Sequence, residues 1–412
     1  MLVLAVGLVS GLVGAGYVET LRVVTRLLGP GAFASPEHLV VLVAVGATIG
    51  VLTMTLGNPG DVELLVDNIH VRGGNGNLRD LRTLIPVSLL GIGAGSAIGP
   101  EAPLVQTTGS IGSWVGWRRH LSVAESRVLT ITGMAAGFTV LFGAPLGSAI
   151  FALEILHRRG LQYYEALVPA AIGSLSGYAV YVAVTGMGFH PVWRFPEPHT
   201  LTGVDLMVGL AAGVAGAVVA GGFTYASKGF RGVFRKLPVP IRPAVGGLAL
   251  GGLALWTPYA LTFGESQVQF VATTAKLALA TLLVAALAKF VASSMIVSAG
   301  WRGGFIIPMF FLGAALGSAG HVALGVDRVV AMTAMMAAIN VGVTKTPFGS
   351  TLVVAEMAGL RLLPPVLVAS LVSLFLTSRV SMIDTQRERE GAFGGPTLDS
   401  EADNPGSDPP DP

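Results

Sequence analysis

Gly99-Pro100-Glu101-Ala102-Pro103 is the stretch whose reading decides the fold. It lies between two apolar runs that read as membrane spans, and a carboxylate at membrane depth marks an ion or proton pathway by default. Pro103 fits a first helical turn, and the small residues before it permit tight backbone. A glutamate at such an end faces backbone N–H groups without intrahelical partners and the positive end of the helix dipole. The same end holds either a side-chain carboxylate or an inorganic anion in its place.

The surrounding chain has the composition of a bilayer protein. Of 412 residues, 52% are hydrophobic and 12% charged, and the mean hydropathy is +0.72. Apolar runs recur almost to the C-terminus, and each spanning helix needs ~20 such residues. The 56 glycines and 24 prolines suit small-residue helix packing and broken helices that line a polar cavity. The first residues lack a charged n-region and an Ala-x-Ala site, so they read as a mature span. A net charge of +2 excludes nucleic acid as a partner. With no cysteine, thiol chemistry is excluded, and the seven histidines show no metal-ligand spacing, so no metal or other cofactor is expected. No Ser/His/Asp grouping lies near Glu101, which argues against an intramembrane enzyme.

The chain repeats itself. Gly7, Leu8, Gly11, Gly14 and Ala15 match Gly209, Leu210, Gly213, Gly216 and Ala217, each pair 202 positions apart. Met134-Ala135-Ala136 matches Met336-Ala337-Ala338, and Pro145, Gly147, Ser148 and Glu154 match Pro347, Gly349, Ser350 and Glu356, in the same register. After Glu101 the register slips by three, pairing Pro103, Gly112 and Ser113 with Pro308, Gly317 and Ser318. A register held from residue 7 to residue 356 marks a duplication. Duplicated halves of inverted topology place their substrate near the midplane, where broken helices aim N-termini at anions. Gly303-Gly304-Phe305-Ile306-Ile307-Pro308 is then the counterpart of Gly99 to Pro103. Two helix N-termini are expected at one site, one carrying Glu101 and the other offering the N–H groups of Phe305 and Ile306.

The spacing predicts an all-α polytopic membrane protein. Helices are expected over about 2–28, 37–56, 60–71, 80–98, 102–117, 124–141, 145–157, 163–185, 204–228, 240–258, 267–299, 305–320, 327–342, 347–358 and 362–384. Several are too short to cross a membrane alone, as re-entrant segments would be. Residues 1–386 read as one transmembrane domain with inverted repeats over about 1–200 and 204–386, and 387–412 as a disordered cytoplasmic tail rich in Gly, Pro, Ser and acids. Basic residues cluster in Arg72 to Arg82, Arg118-Arg119, Arg158-Arg159 and Lys228 to Arg242, whereas 29–37 and 186–203 contain only Arg194. The positive-inside rule puts the basic loops, and with them both termini, in the cytoplasm of a cell membrane.

These motifs resemble the CLC family of chloride channels and anion/proton exchangers, of the bacterial type without C-terminal CBS domains. The resemblance covers about residues 5–386. Gly99-Pro100-Glu101-Ala102-Pro103 with Gln106 is similar to the family's Gly-Arg-Glu-Gly-Pro segment and its following Gln. Phe142-Gly143-Ala144-Pro145-Leu146 through Glu154 resembles its Phe-x-Ala-Pro-Leu stretch, and Gly303-Gly304-Phe305-Ile306-Ile307-Pro308 its Gly-Gly-x-Phe-x-Pro loop. The resemblance implies the CLC inverted-repeat fold, a homodimer with a separate pore in each subunit, chloride or other small anions as substrate, and Glu101 as the gating glutamate. Gly99, Asn58, Phe305, Ile306 and Ile383 fall at its anion-binding positions. Ionised, the carboxylate occupies the anion's place; protonated, it loses its claim on the N–H donors, so one group links proton and anion occupancy.

The sequence departs from the family pattern at three places. The family's Gly-Ser-Gly-Ile-Pro loop is Gly57-Asn58-Pro59-Gly60-Asp61, where Asn58 still brings N–H donors but also suits an ordinary turn. The pore tyrosine falls at Ile383, which has no hydroxyl. The inner proton-transfer glutamate falls at Ile155; the neighbouring Glu154 is more often structural, and a proton role for it is the second reading. Chloride transport, as a channel or as an exchanger with protons, is the first expectation, and a fluoride/proton antiporter of the same fold the alternative. Lys289 reads either as a source of positive pore potential or as a snorkelling side chain. Lys345 reads as a loop charge, and Arg302 as a solvated loop arginine with an anion-attracting role as its other reading.

Overall fold

The computed structural model describes residues 1–59, 66, 69, 78–159, 163–186, 191–274, 276–383 and 386–388. Among them, fifteen α-helices carry the architecture. The first half holds α1 (Leu2–Leu28), α2 (Ser35–Leu56), α3 (Leu78–Gly93), α4 (Glu101–Arg118), α5 (Val123–Phe142), α6 (Pro145–Glu154) and α7 (Leu167–Thr185). The second holds α8 (Gly203–Phe234), α9 (Arg242–Trp256), α10 (Glu265–Thr273), α11 (Leu279–Ser298), α12 (Ile306–Leu324), α13 (Arg328–Thr344), α14 (Pro347–Ala358) and α15 (Leu363–Leu376). Two short strands, β1 (His157–Arg159) and β2 (Arg387–Glu388), pair in parallel.

Among the described residues, six helices are long and apolar enough to cross a membrane, including Leu2–Leu28, Gly203–Phe234 and Leu279–Ser298. Their outward faces carry exposed Leu12, Val40, Val218 and Leu287, which lipid covers in place of protein. By contrast α6 has 10 residues, about 15 Å at the α-helical rise, which is half a bilayer core. Such half-helices need their ends satisfied inside the protein, and local signals do this elsewhere too. Ser122 and Glu125 form a capping box at the start of α5, the Ser122 N–H donating to Glu125 Oε2 over 2.9 Å. Asp327 accepts the Val330 N–H at the start of α13 over 2.8 Å.

Positions in matching register make matching contacts. α4 packs on α5 as α12 packs on α13, and α1 lies on α5 and α7 as α8 lies on α13 and α15. Gly112 of α4 and Gly317 of α12 each lie against the backbone of the partner helix, at Leu129 and Ala331, where no side-chain carbon fits. Gly143 and Lys345 both end their helices in the left-handed region, at φ 61° and 62°. Their N–H groups close on Thr139 O and Val341 O over 2.8 and 2.9 Å. Glycine suits that conformation, whereas lysine is strained in it.

Several expected bounds differ: the helix expected over 80–98 stops at Gly93, and the one over 204–228 runs on to Phe234. The helix expected over 267–299 is two, α10 and α11, because Thr273 turns its hydroxyl onto Gln269 O (2.8 Å) and the Arg328 guanidinium caps the Val271 carbonyl, ending α10 there. The helix expected to reach 384 stops at Leu376. Lys345 Nζ takes both the carbonyl and the hydroxyl of Thr377, each at 2.8 Å. Lys345 itself is buried rather than a loop charge, since its long stem carries the ammonium back under the helix end. Arg387 and Glu388, expected in a disordered tail, form β2. Of the helix expected over 60–71 only Val66 and Ile69, both buried, are among the described residues, and the tail over 391–412 lies outside them.

Candidate functional site

Gly99 and Gly304 hold the site together. They exchange a pair of backbone hydrogen bonds, Gly99 N–H to Gly304 O at 2.7 Å and Gly304 N–H to Gly99 O at 2.6 Å. This bridge sets the N-termini of α4 and α12 side by side. Glu101, at the first turn of α4, crosses to the other helix, where its Oε1 accepts the N–H of Ile307. A Cβ built on Gly99 or on Gly304 would fall on the Glu101 carboxylate, so glycine at both positions is what leaves it room. Glu101 is 1% exposed, and its Oε2 has no hydrogen-bond partner. Among the described residues no basic side chain pairs with it. The carboxylate therefore depends on one backbone donor and a helix dipole, the kind of support a small inorganic anion uses equally well.

A cavity of about 20 Å³ adjoins the carboxylate, lined by Glu101, Val105, Phe138, Ile155, Phe305 and Ile306. That volume admits one water-sized occupant. Beside Pro100 a larger cavity of about 600 Å³ is lined by Arg22, Arg26, Tyr181, Glu265 and Gln269. Its charged residues were not singled out from the sequence, because they come from α1, α7 and α10 and meet only in the fold.

The other expected site residues divide. Gly99, Phe305 and Ile306 come together around Glu101, but the N–H that reaches the carboxylate is that of Ile307, one position further into α12. Asn58 is exposed, and its Oδ1 accepts from Arg302 Nη2 over 2.7 Å, which leaves its own N–H groups as donors. Arg302 is thus tied to the Asn58 loop rather than freely solvated. Glu154 is committed to a different helix start. Its oxygens accept the N–H groups of Phe348 (3.2 Å) and Gly349 (2.6 Å), the first turn of α14. Ile383 is 1% exposed, and its carbonyl accepts the Ser381 hydroxyl over 2.8 Å.

Lys289 is completely buried, beneath the loop that precedes α10. Its Nζ donates to Leu261 O over 2.6 Å and to Thr262 O, and lies 5.4 Å from the centre of the Phe311 ring. Thr262 N–H in turn donates to Gly95 O over 2.8 Å, which ties this cation to the loop leading into Glu101. It does not snorkel. The sequence places no helix or turn signal on Gln386, yet its Nε2 reaches Ile155 O and Thr344 O, at 2.8 and 2.7 Å.

With this geometry, the comparisons with known proteins converge. The profile of the family described as voltage gated chloride channel matches residues 60–378. A chloride/fluoride channel protein of Pseudomonas syringae pv. tomato is 26% identical over 380 residues, covering 85% of this chain and 79% of that protein. An H⁺/Cl⁻ exchange transporter of Cronobacter sakazakii is 28% identical over 330 residues, covering 73% and 68%. The structure of a slow cyanobacterial Cl⁻/H⁺ antiporter superposes with a TM-score of 0.79 at 20% identity, over 92% of this chain and 94% of that one. A CLC-type fluoride/proton antiporter gives 0.79 at 21%, over 94% and 97%. A family profile spanning most of the chain, on a fold shared with these structures, makes this protein a member of the CLC family of chloride channels and anion/proton exchangers.

Proposed function

We propose that the protein transports small anions, chloride first among them, across a cell membrane, and that Glu101 gates their passage and couples it to protons. The observation that carries this reading is the Glu101 carboxylate at the start of α12, holding the Ile307 N–H with no basic side chain paired to it among the described residues. Ionised, the carboxylate occupies the ground an anion needs. Protonation removes its charge and weakens its hold on the N–H, because a neutral acid is the poorer acceptor. The side chain then swings out and an anion takes the freed donors and the positive helix end. When the anion leaves, the carboxylate returns and releases its proton, so the two ions alternate at one place.

The protein is read as a homodimer with one pathway per subunit and with both termini cytoplasmic, following the resemblance and the distribution of basic loops. Fluoride is the second reading. It is supported by the amide N–H groups of Asn58, which have no partner among the described residues, and by relatives whose names include fluoride. A small, strongly hydrated anion needs such donors to offset its dehydration.

Purified protein in liposomes, under an opposing chloride gradient, tests the reading. Uphill proton movement in the wild type, abolished in Glu101→Gln with anion flux retained, is the expected result. Coupling that survives in Glu101→Gln overturns the role of Glu101. Parallel fluoride, chloride and nitrate gradients decide the preferred anion.

A further inference from the structure

We propose that Gln386 is a positioning residue that latches together two helix ends, one from each half, next to the Glu101 cavity. The proposal rests on the anion-transport reading. Gln386 is buried, and the two hydrogens of its amide go to two carbonyls, Ile155 O at 2.8 Å and Thr344 O at 2.7 Å. Ile155 is the C-cap of α6, in the first half, and Thr344 the last residue of α13, in the second. One side chain therefore ties together helix ends from both halves. Ile155 also lines the small cavity beside Glu101, so the latch sits one residue's width from the gate.

The chemistry of the amide suits the place. Both helix ends present the negative pole of a dipole, which an anion on the pathway meets unfavourably. A neutral NH₂ group covers both carbonyls without adding a charge that would trap the anion or repel it. Ile155 and Ile383 flank Gln386 and bring neither a proton carrier nor a hydroxyl, so the bridge between the two helix ends is made by the amide. The backbone holds Gln386 in place from both sides: its N–H donates to Ile383 O over 3.4 Å, and His157 pairs with Arg387 in the β1–β2 ladder. Its Oε1 is buried and has no hydrogen-bond partner among the described residues, so the amide is held by its donors alone.

The test uses the full chain in liposomes, with chloride efflux and proton movement measured together. Gln386→Met keeps the volume and removes the donors; Gln386→Ala removes both. The latch predicts anion efflux raised several-fold in each, with fewer protons moved per anion, and the same rise again in a Glu101→Gln background, because the latch and the gate are separate. Wild-type efflux and its response to Glu101→Gln report on the transport reading, and the ratio of Gln386 variant to parent reports on the latch. Unchanged or reduced efflux in well-folded Gln386→Met overturns the proposal. So does a loss of folding in both variants, which makes Gln386 a structural residue alone.

Discussion

Glu154 and Glu356, 202 positions apart, each cap the helix that carries the other. Glu154 accepts from Phe348 and Gly349 at the start of α14, at 3.2 and 2.6 Å, and Glu356 accepts from Leu146 and Gly147 at the start of α6, at 3.2 and 2.8 Å. Two half-helices that end inside the protein thus satisfy each other's open N–H groups. The exchange occupies the oxygens that a proton carrier would need free.

Alanine at Glu154 is expected to destabilise the folded protein by about 2–3 kcal/mol, the range for losing charge-assisted bonds to a buried helix end. Alanine at Glu356 should act alike. Thermal unfolding in detergent measures both. Glu154→Gln should leave the proton-to-anion ratio of the wild type, and a ratio that falls to zero would return Glu154 to the proton pathway.

Gly304→Ala should disable the gate. The added methyl falls where Glu101 places its carboxylate, and the backbone bridge to Gly99 leaves it nowhere to move. Flux in Gly304→Ala should lose its dependence on external pH, and a second change, Glu101→Gln, should alter nothing further. An additive effect of the two changes would separate Gly304 from the Glu101 site.

Lys345 stabilises through its ammonium and strains through its backbone. Its Nζ donates to Gly342 O at 2.6 Å and to Thr377, while its φ of 62° is one that favours glycine. Lys345→Ala and Lys345→Gly both lose the bonds, but only glycine relaxes the strain. Lys345→Gly should be the more stable of the two by about 1 kcal/mol, read from paired melting curves. Equal stability would mean that the left-handed turn carries no strain.

His199 supplies a pH-dependent tie outside the membrane. Its Nδ1 meets Asp327 Oδ2 at 2.9 Å and its Nε2 meets Asp205 Oδ2 at 3.1 Å, joining the loop before α8 to the N-cap of α13. The hydrogen bond to Asp327, followed by the charges of Asp205 and Asp327, raises the affinity of the imidazole for a proton above its ordinary value of 6.5. The folded state thus binds the proton more tightly than the unfolded one. The stabilisation is complete below 6.5 and disappears as pH rises through the raised folded value. Hydrogen exchange across residues 199–205 should quicken over that window in the wild type and show no such step in His199→Gln.

Much of this was legible residue by residue. Glu101 in its Pro-bracketed, glycine-led stretch marked a helix start at membrane depth, and Pro145 and Pro347 marked two more. Helix ends were less legible. Thr377 ends α15 because Lys345, 32 positions away, takes its carbonyl, and α10 ends after Thr273 where Arg328 takes the Val271 carbonyl. No local signal carries those partners. The donor to Glu101 was expected at Phe305 or Ile306 and is Ile307, because the Gly99–Gly304 bridge sets how far α12 advances toward the carboxylate.

The chain by itself determined that this is a helical membrane protein of two related halves with an acid, Glu101, at a helix start inside it, because lipid forces apolar runs and the duplication repeats its prolines and glycines in register. Only the tertiary structure decided what each polar group answers to. Asn58 meets Arg302, Lys289 meets two loop carbonyls, and Gln386 bridges two helix ends. The reason is physical. Burial drives most polar atoms to a partner, and that partner is set by which backbone ends the fold brings near, not by distance along the chain.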